Sequence, residues 1–202
     1  MSAPTRNIDA STLPDFAFGS RTALAWGTWG FIAVEGAIFA VLVASYLYGM
    51  GKADEWPPPR VPPPLLLYGV VNTLIMLATI VPNMIYKRAA ERMDLRATQR
   101  WLVVIFALEV AFLVVRGFEF AALEVRWDDH FYGSMLWVLL GFHTVHVFSD
   151  VVETGVLFAL SLRKGVKPHR FADMADNAFF WYFAVWFWLP LFVLIYLVPR
   201  WN

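Results

Sequence analysis

Eight ionisable side chains stand within stretches that are otherwise apolar: Glu35; Glu109, Arg116 and Glu119; and His143, His146, Asp150 and Glu153. Carboxyls and imidazoles of this kind can pair with one another, relay protons or ligate a metal. The last four fall at offsets 0, 3, 7 and 10, which places them on one stripe of a helix. Glu109, Arg116 and Glu119 fall at 0, 7 and 10 and form a second stripe. Two helices so patterned are expected to face each other or a shared cleft.

Three kinds of chemistry fit these residues. The groups can pair only to fix helix register. They can hold lipid headgroups or relay protons, as ionisable groups inside a membrane often do. Or they can ligate a metal or haem. Di-metal bundles use a Glu-x-x-His motif from each of two helices, and no such pairing occurs in this sequence. His143 and His146 are too close on one helix to be the two axial ligands of one haem. The reading is therefore of a chain with no catalytic, cofactor-binding or metal-binding residues, whose eight groups form a buried polar network serving structure, lipid or protons.

The elements that must position these residues are membrane helices. The chain has 202 residues, 59% hydrophobic and only 16% charged, against roughly 45–50% and 25% in soluble domains. Its formal net charge is zero, so no global field attracts nucleic acid or an acidic substrate. It has no cysteine, which removes disulfides, thiolate metal sites and thiol nucleophiles together. A spanning helix needs about 20 mostly apolar residues. Five segments qualify, at about 23–48, 65–86, 101–123, 133–162 and 178–198. They define an all-α integral membrane bundle over 23–198, with a polar tail at 1–22 and a short tail at 199–202. The tail at 1–22 lacks the apolar core of a cleavable signal, so the first span is expected to direct insertion. Pro82 and Pro190 are expected to bend the second and fifth helices without ending them.

Orientation follows from Lys and Arg in the connections. Arg6, Arg21, Lys87, Arg88, Arg92, Arg96, Arg100, Arg163, Lys164, Lys167 and Arg170 share one side; Lys52, Arg60, Arg126 and Arg200 share the other. The N-terminus is expected in the cytoplasm and the C-terminus outside. At about 1.5 Å per residue, Glu35 lies at the same depth as His143 and His146, and a carboxyl–imidazole contact is expected near mid-membrane. Ten aromatic residues fall between 178 and 198, including Trp186 and Trp188 well inside the span. That density is expected to reflect packing against a partner subunit.

Several motifs resemble subunit III of the haem-copper oxidases, the cytochrome c oxidase subunit III family. Trp29-Gly30-Phe31 followed by Glu35 is similar to its W-x-F-x₃-E pattern, and Trp56-Pro57-Pro58 to its WPP. Asn72-Thr73, Gly117-Phe118-Glu119-Phe120, Gly133-Ser134 and Gly141-Phe142-His143-Thr144-Val145-His146-Val147 follow in the family's order. The resemblance runs from about 26 to 196 and implies a divergent five-helix member without redox centres of its own. Glu35, Glu119, His143 and His146 match the family's buried polar positions. Haem and copper are then expected in partner subunits, the catalytic subunit I together with subunit II, and bound phospholipid and support of proton and oxygen access are implied. The departures are Tyr182 and Val185, where the family has His and Asp in span five, and the added charges Arg116 and Asp150. An oxidase, a nitric oxide reductase with an accessory subunit of this type, and a free-standing transporter or proton channel are all open on these residues.

Overall fold

The computed structural model describes residues 23–163 and 165–201; the tail at 1–22 and the last residue of the tail at 199–202 lie outside the described residues. Five helices run in sequence: α1 (Ala23–Lys52), α2 (Leu66–Glu91), α3 (Leu95–Ala121), α4 (Phe131–Ser161) and α5 (Pro168–Phe192). All five are long and apolar enough to cross a membrane. In a bilayer every backbone polar group must be satisfied within the segment, and helices do this. The regular structure among the described residues is helical throughout.

Local signals set the helix starts. Asp94 caps α3, its carboxylate accepting from the Ala97 N–H at 3.1 Å. His130 does the same for α4, its Nδ1 accepting from the Gly133 N–H at 2.9 Å. Gly133 itself is required there, because the Arg126 carbonyl occupies the place of a Cβ. Pro168 opens α5 at the first helical position, where its missing N–H has no cost.

The fifth helix differs from expectation at both ends. It begins at Pro168, well before residue 178, because Phe171, Met174, Ala175 and Ala178 give the preceding segment an apolar face that packs with Tyr86, Ala90, Leu102 and Leu157. Pro82 stays within a continuous α2. Pro190 stays within α5, and beyond Phe192 the α ladder gives way to a π turn (Val193–Leu197) and then a 3₁₀ turn (Val198–Arg200) that holds Pro199. Pro199 has no N–H to close the bond one turn back into that segment, and a widened turn there absorbs the mismatch.

α2 packs along α3 and α5, α4 against α3 and α5, and α1 leans on α4 and α5 from outside. The most apolar stretch of α1 is 11% buried and that of α5 56%. This reverses the expectation for the aromatic helix. Phe180, Trp181, Phe183 and Trp188 are buried within the chain itself, and Trp186 alone of that cluster is largely exposed. The indole N–H groups explain the placement: Trp181 Nε1 donates to Thr79 Oγ1 at 2.7 Å and Trp188 Nε1 to Thr73 Oγ1 at 2.8 Å, tying α5 to α2. Each such interhelical bond contributes about 0.6–2 kcal/mol in a membrane. The large exposed apolar surface belongs instead to α1, through Trp26, Trp29, Phe31, Val34, Val41 and Tyr48.

Candidate functional site

The polar residues separate into three levels along the bundle. The middle level joins α1 to α4. His146 Nδ1 and Glu35 Oε2 are 3.5 Å apart, with His146 buried and Glu35 partly so. The His146 ring packs on Phe180 at 4.9 Å and Phe183 at 5.2 Å, between centroids. His143 is not part of this contact, although it was expected to share it. Three residues along a helix turn a side chain by roughly 60° about the axis, so His146 reaches α1 while His143 points to α5 and α3. There His143 Nε2–H donates to the Ala184 carbonyl at 3.3 Å. Trp188 and Phe112 enclose its ring, with centroids at 4.9 and 5.8 Å.

The second level lies toward the α3 C-terminus. Arg116 and Glu119 are each 1% exposed and form an ion pair at 2.9 Å. The guanidinium lies over the Trp188 ring at 4.4 Å and the Phe112 ring at 5.0 Å. Glu119 also accepts from Asn72 Nδ2 at 3.1 Å. A charge placed one turn from its counter-charge, with aromatic faces around it, is how a buried arginine is tolerated. The C-terminal part of α3 therefore turns to α2 and α5, and not to the stripe on α4.

The third level lies toward the end that carries the α2–α3 turn. Thr154 Oγ1 donates to Glu109 Oε1 at 3.4 Å and so joins α4 to α3. Asn177 of α5 donates to Asp150 Oδ1 at 3.3 Å and to Thr154 Oγ1 at 3.4 Å. Tyr86 of α2 donates to Asn177 Oδ1 at 3.5 Å. Glu109 and Asp150 are each 1% exposed. Glu153 stands apart from them on the exposed side of α4, lining a cleft of about 640 Å³ between α1, α4 and α5. Among the described residues, no cluster of three or more His, Asp or Glu is arranged to hold a metal ion.

Sequence reasoning missed Asn177, Thr154 and Asn83, whose Nδ2 donates to the Ala178 carbonyl at 2.7 Å. Asn177 was overlooked because the fifth span was begun at 178. The apolar spacing of Phe171, Met174, Ala175 and Ala178, following Pro168, was the signal that would have included it.

A family model, cytochrome c oxidase subunit III, matches residues 8–200. The chain is 28% identical over 174 residues to cytochrome c oxidase subunit 3 of Synechocystis sp., covering 83% of this chain and 72% of that one. It is 27% identical over 173 residues to the protein of that name in Thermostichus vulcanus, covering 84% and 85% of the two chains. A probable cytochrome c oxidase subunit 3 of Mycobacterium bovis is 28% identical over 177 residues, covering 85% and 86%. These matches and the five apolar helices define a class first: a multi-pass protein of a bacterial inner membrane. The chain belongs to the cytochrome c oxidase subunit III family, as its motifs implied, and its role is that of the non-catalytic third subunit.

Proposed function

We propose that this chain stabilises the catalytic haem-copper subunit of a respiratory oxidase, in a hetero-oligomer that also includes subunit II. The observation that carries this reading is the contact between Glu35 and His146. Each comes from a separate stretch that resembles the family, W-x-F-x₃-E and GFHxxHV, and the fold brings the two together at mid-bundle. In this reading the haem and copper reside in the partner subunits. The contact braces α1, the helix least supported by its own chain, and so holds the face that meets lipid or partner.

Phospholipid belongs to the same reading. The exposed apolar faces of α1 flank a cleft with polar and charged residues at its mouth, Arg170, Asp173, Asp176 and Glu153, and apolar walls from Phe31, Val156 and Phe180. That combination suits an acyl chain with its headgroup at the membrane surface. The N-terminus lies in the cytoplasm and the C-terminus outside, as the distribution of Lys and Arg requires. The buried polar levels support proton access to the catalytic subunit from the cytoplasmic side.

The test is purification of the tagged chain from its native membrane in mild detergent. Haem absorbance that follows the tag in constant ratio supports the reading. A chain that purifies stably and alone defeats it in favour of a free-standing transporter or channel. The identity of the haem-bearing partner separates an oxidase from a nitric oxide reductase.

A further inference from the structure

The level formed by Glu109 and Asp150 has a feature that helix pairing does not require. Each carboxyl uses one oxygen as an acceptor, Glu109 Oε1 from Thr154 and Asp150 Oδ1 from Asn177. The other oxygens, Glu109 Oε2 and Asp150 Oδ2, are buried and without a hydrogen-bond partner. Among the described residues no Lys or Arg lies within ion-pair distance of either group. Lys87 is taken by Glu91, Arg170 by Asp173 and Arg116 by Glu119. The other titratable groups facing this level are Tyr86 from α2, Glu153 one turn along α4, and Asp176 from α5. Two buried carboxylates without a cation are not tolerated as a charged pair.

The level adjoins the cleft through Asn177. Asn177, which holds Asp150, also lines the 640 Å³ cleft together with Glu153, Asp173 and Asp176. One turn along α3 from Glu109, Phe112 is fully buried and lies under the Arg116 guanidinium at 5.0 Å.

We propose that Glu109 and Asp150 form a proton-binding site loaded from the cytoplasmic-side cleft that Asn177 lines. The proton resides on the unpartnered oxygen, Asp150 Oδ2 or Glu109 Oε2, while the second oxygen keeps its bond from Asn177 or Thr154. Loading is a simple protonation: a carboxylate becomes a carboxylic acid, and water or a cleft carboxyl at Glu153 or Asp176 gives up the proton. The site deepens the proton-access role proposed above by naming where the proton is held. It rests on the orientation proposed there.

The test is infrared difference spectroscopy of the intact, tag-purified complex, taken between acid and alkaline conditions in H₂O and in D₂O. The expected result is a carboxylic C=O band that grows on acidification and shifts in D₂O. Asp150→Asn and Glu109→Gln, which keep the side-chain shape, each reduce it. Glu153→Gln with Asp176→Asn slows its exchange in D₂O. A band insensitive to both isosteric variants overturns the proposal, as does a C=O band that never exchanges in D₂O. If one variant fails to assemble, the other carries the test. Haem content of the same sample reports separately on the subunit reading, so the two can fail independently.

Discussion

Arg116 and Glu119 offer the sharpest energetic test, because both charges are buried and each has a counted set of partners. Replacing Glu119 by Leu leaves the guanidinium with two ring faces, Trp188 at 4.4 Å and Phe112 at 5.0 Å, and no counter-ion. Replacing Arg116 by Leu leaves Glu119 with only the Asn72 amide at 3.1 Å. Breaking a buried pair from one side costs about 3–5 kcal/mol. The two single variants should not be equal, since a carboxyl can take up a proton and a guanidinium cannot shed one. Glu119→Leu is therefore expected at the upper end and Arg116→Leu at the lower. The double variant replaces both charges by apolar groups and is expected to be neutral or more stable by about 1–4 kcal/mol. The coupling in the cycle is then at least about 6 kcal/mol, two single losses of at least about 3 against none for the double variant. Thermal or detergent-titrated unfolding of the purified complex measures it. Additive single effects, or a double variant worse than either single, would refute the claim that the pair is self-contained.

Three further outcomes follow from the packing. Gly69→Ala places a Cβ 2.7 Å from the Tyr196 ring, which costs about 1–3 kcal/mol; Tyr196→Leu in the same chain relieves it in the same unfolding assay. Trp181→Phe removes the bond to Thr79 at 2.7 Å and lowers stability by about 0.6–2 kcal/mol, and Thr79→Val added to it loses only the hydroxyl's bond to the Met76 carbonyl. Glu35→Ala weakens lipid retention or complex stability without loss of any cofactor, measured as lipid phosphorus and haem per complex; loss of haem in step with the lipid would point to a ligand role that the geometry does not support.

Much of this molecule was legible in the residues because a membrane imposes a length and a composition on every span. Five helices, their approximate places and the family could be read directly, as could the Glu35–His146 contact from matched depths. What could not be read was azimuth. Depth places His143 level with Glu35, yet a 60° turn about the helix sends it to Ala184. The same limit applies to α3, whose Glu109 meets α4 while Arg116 and Glu119 meet α5 and α2. Aromatic density in α5 misled for a related reason. In a bilayer, rings serve equally well against lipid, partner or self, and the deciding signal was polar: Thr73 and Thr79 on α2, placed to accept from Trp188 and Trp181. Asn177 was missed through a boundary, since charged Asp173 and Asp176 disguised the first turns of a membrane helix as loop.

A third subunit without redox centres supports the chemistry of its complex and does not perform it. Stripping the chain from the purified complex, with the haem spectrum and initial turnover of the remainder as the readouts, tests this. An unchanged haem complement and initial turnover are expected, with a faster loss of activity afterwards. Loss of a haem, or of initial turnover, in proportion to the chain removed would show that the chain takes part in the chemistry.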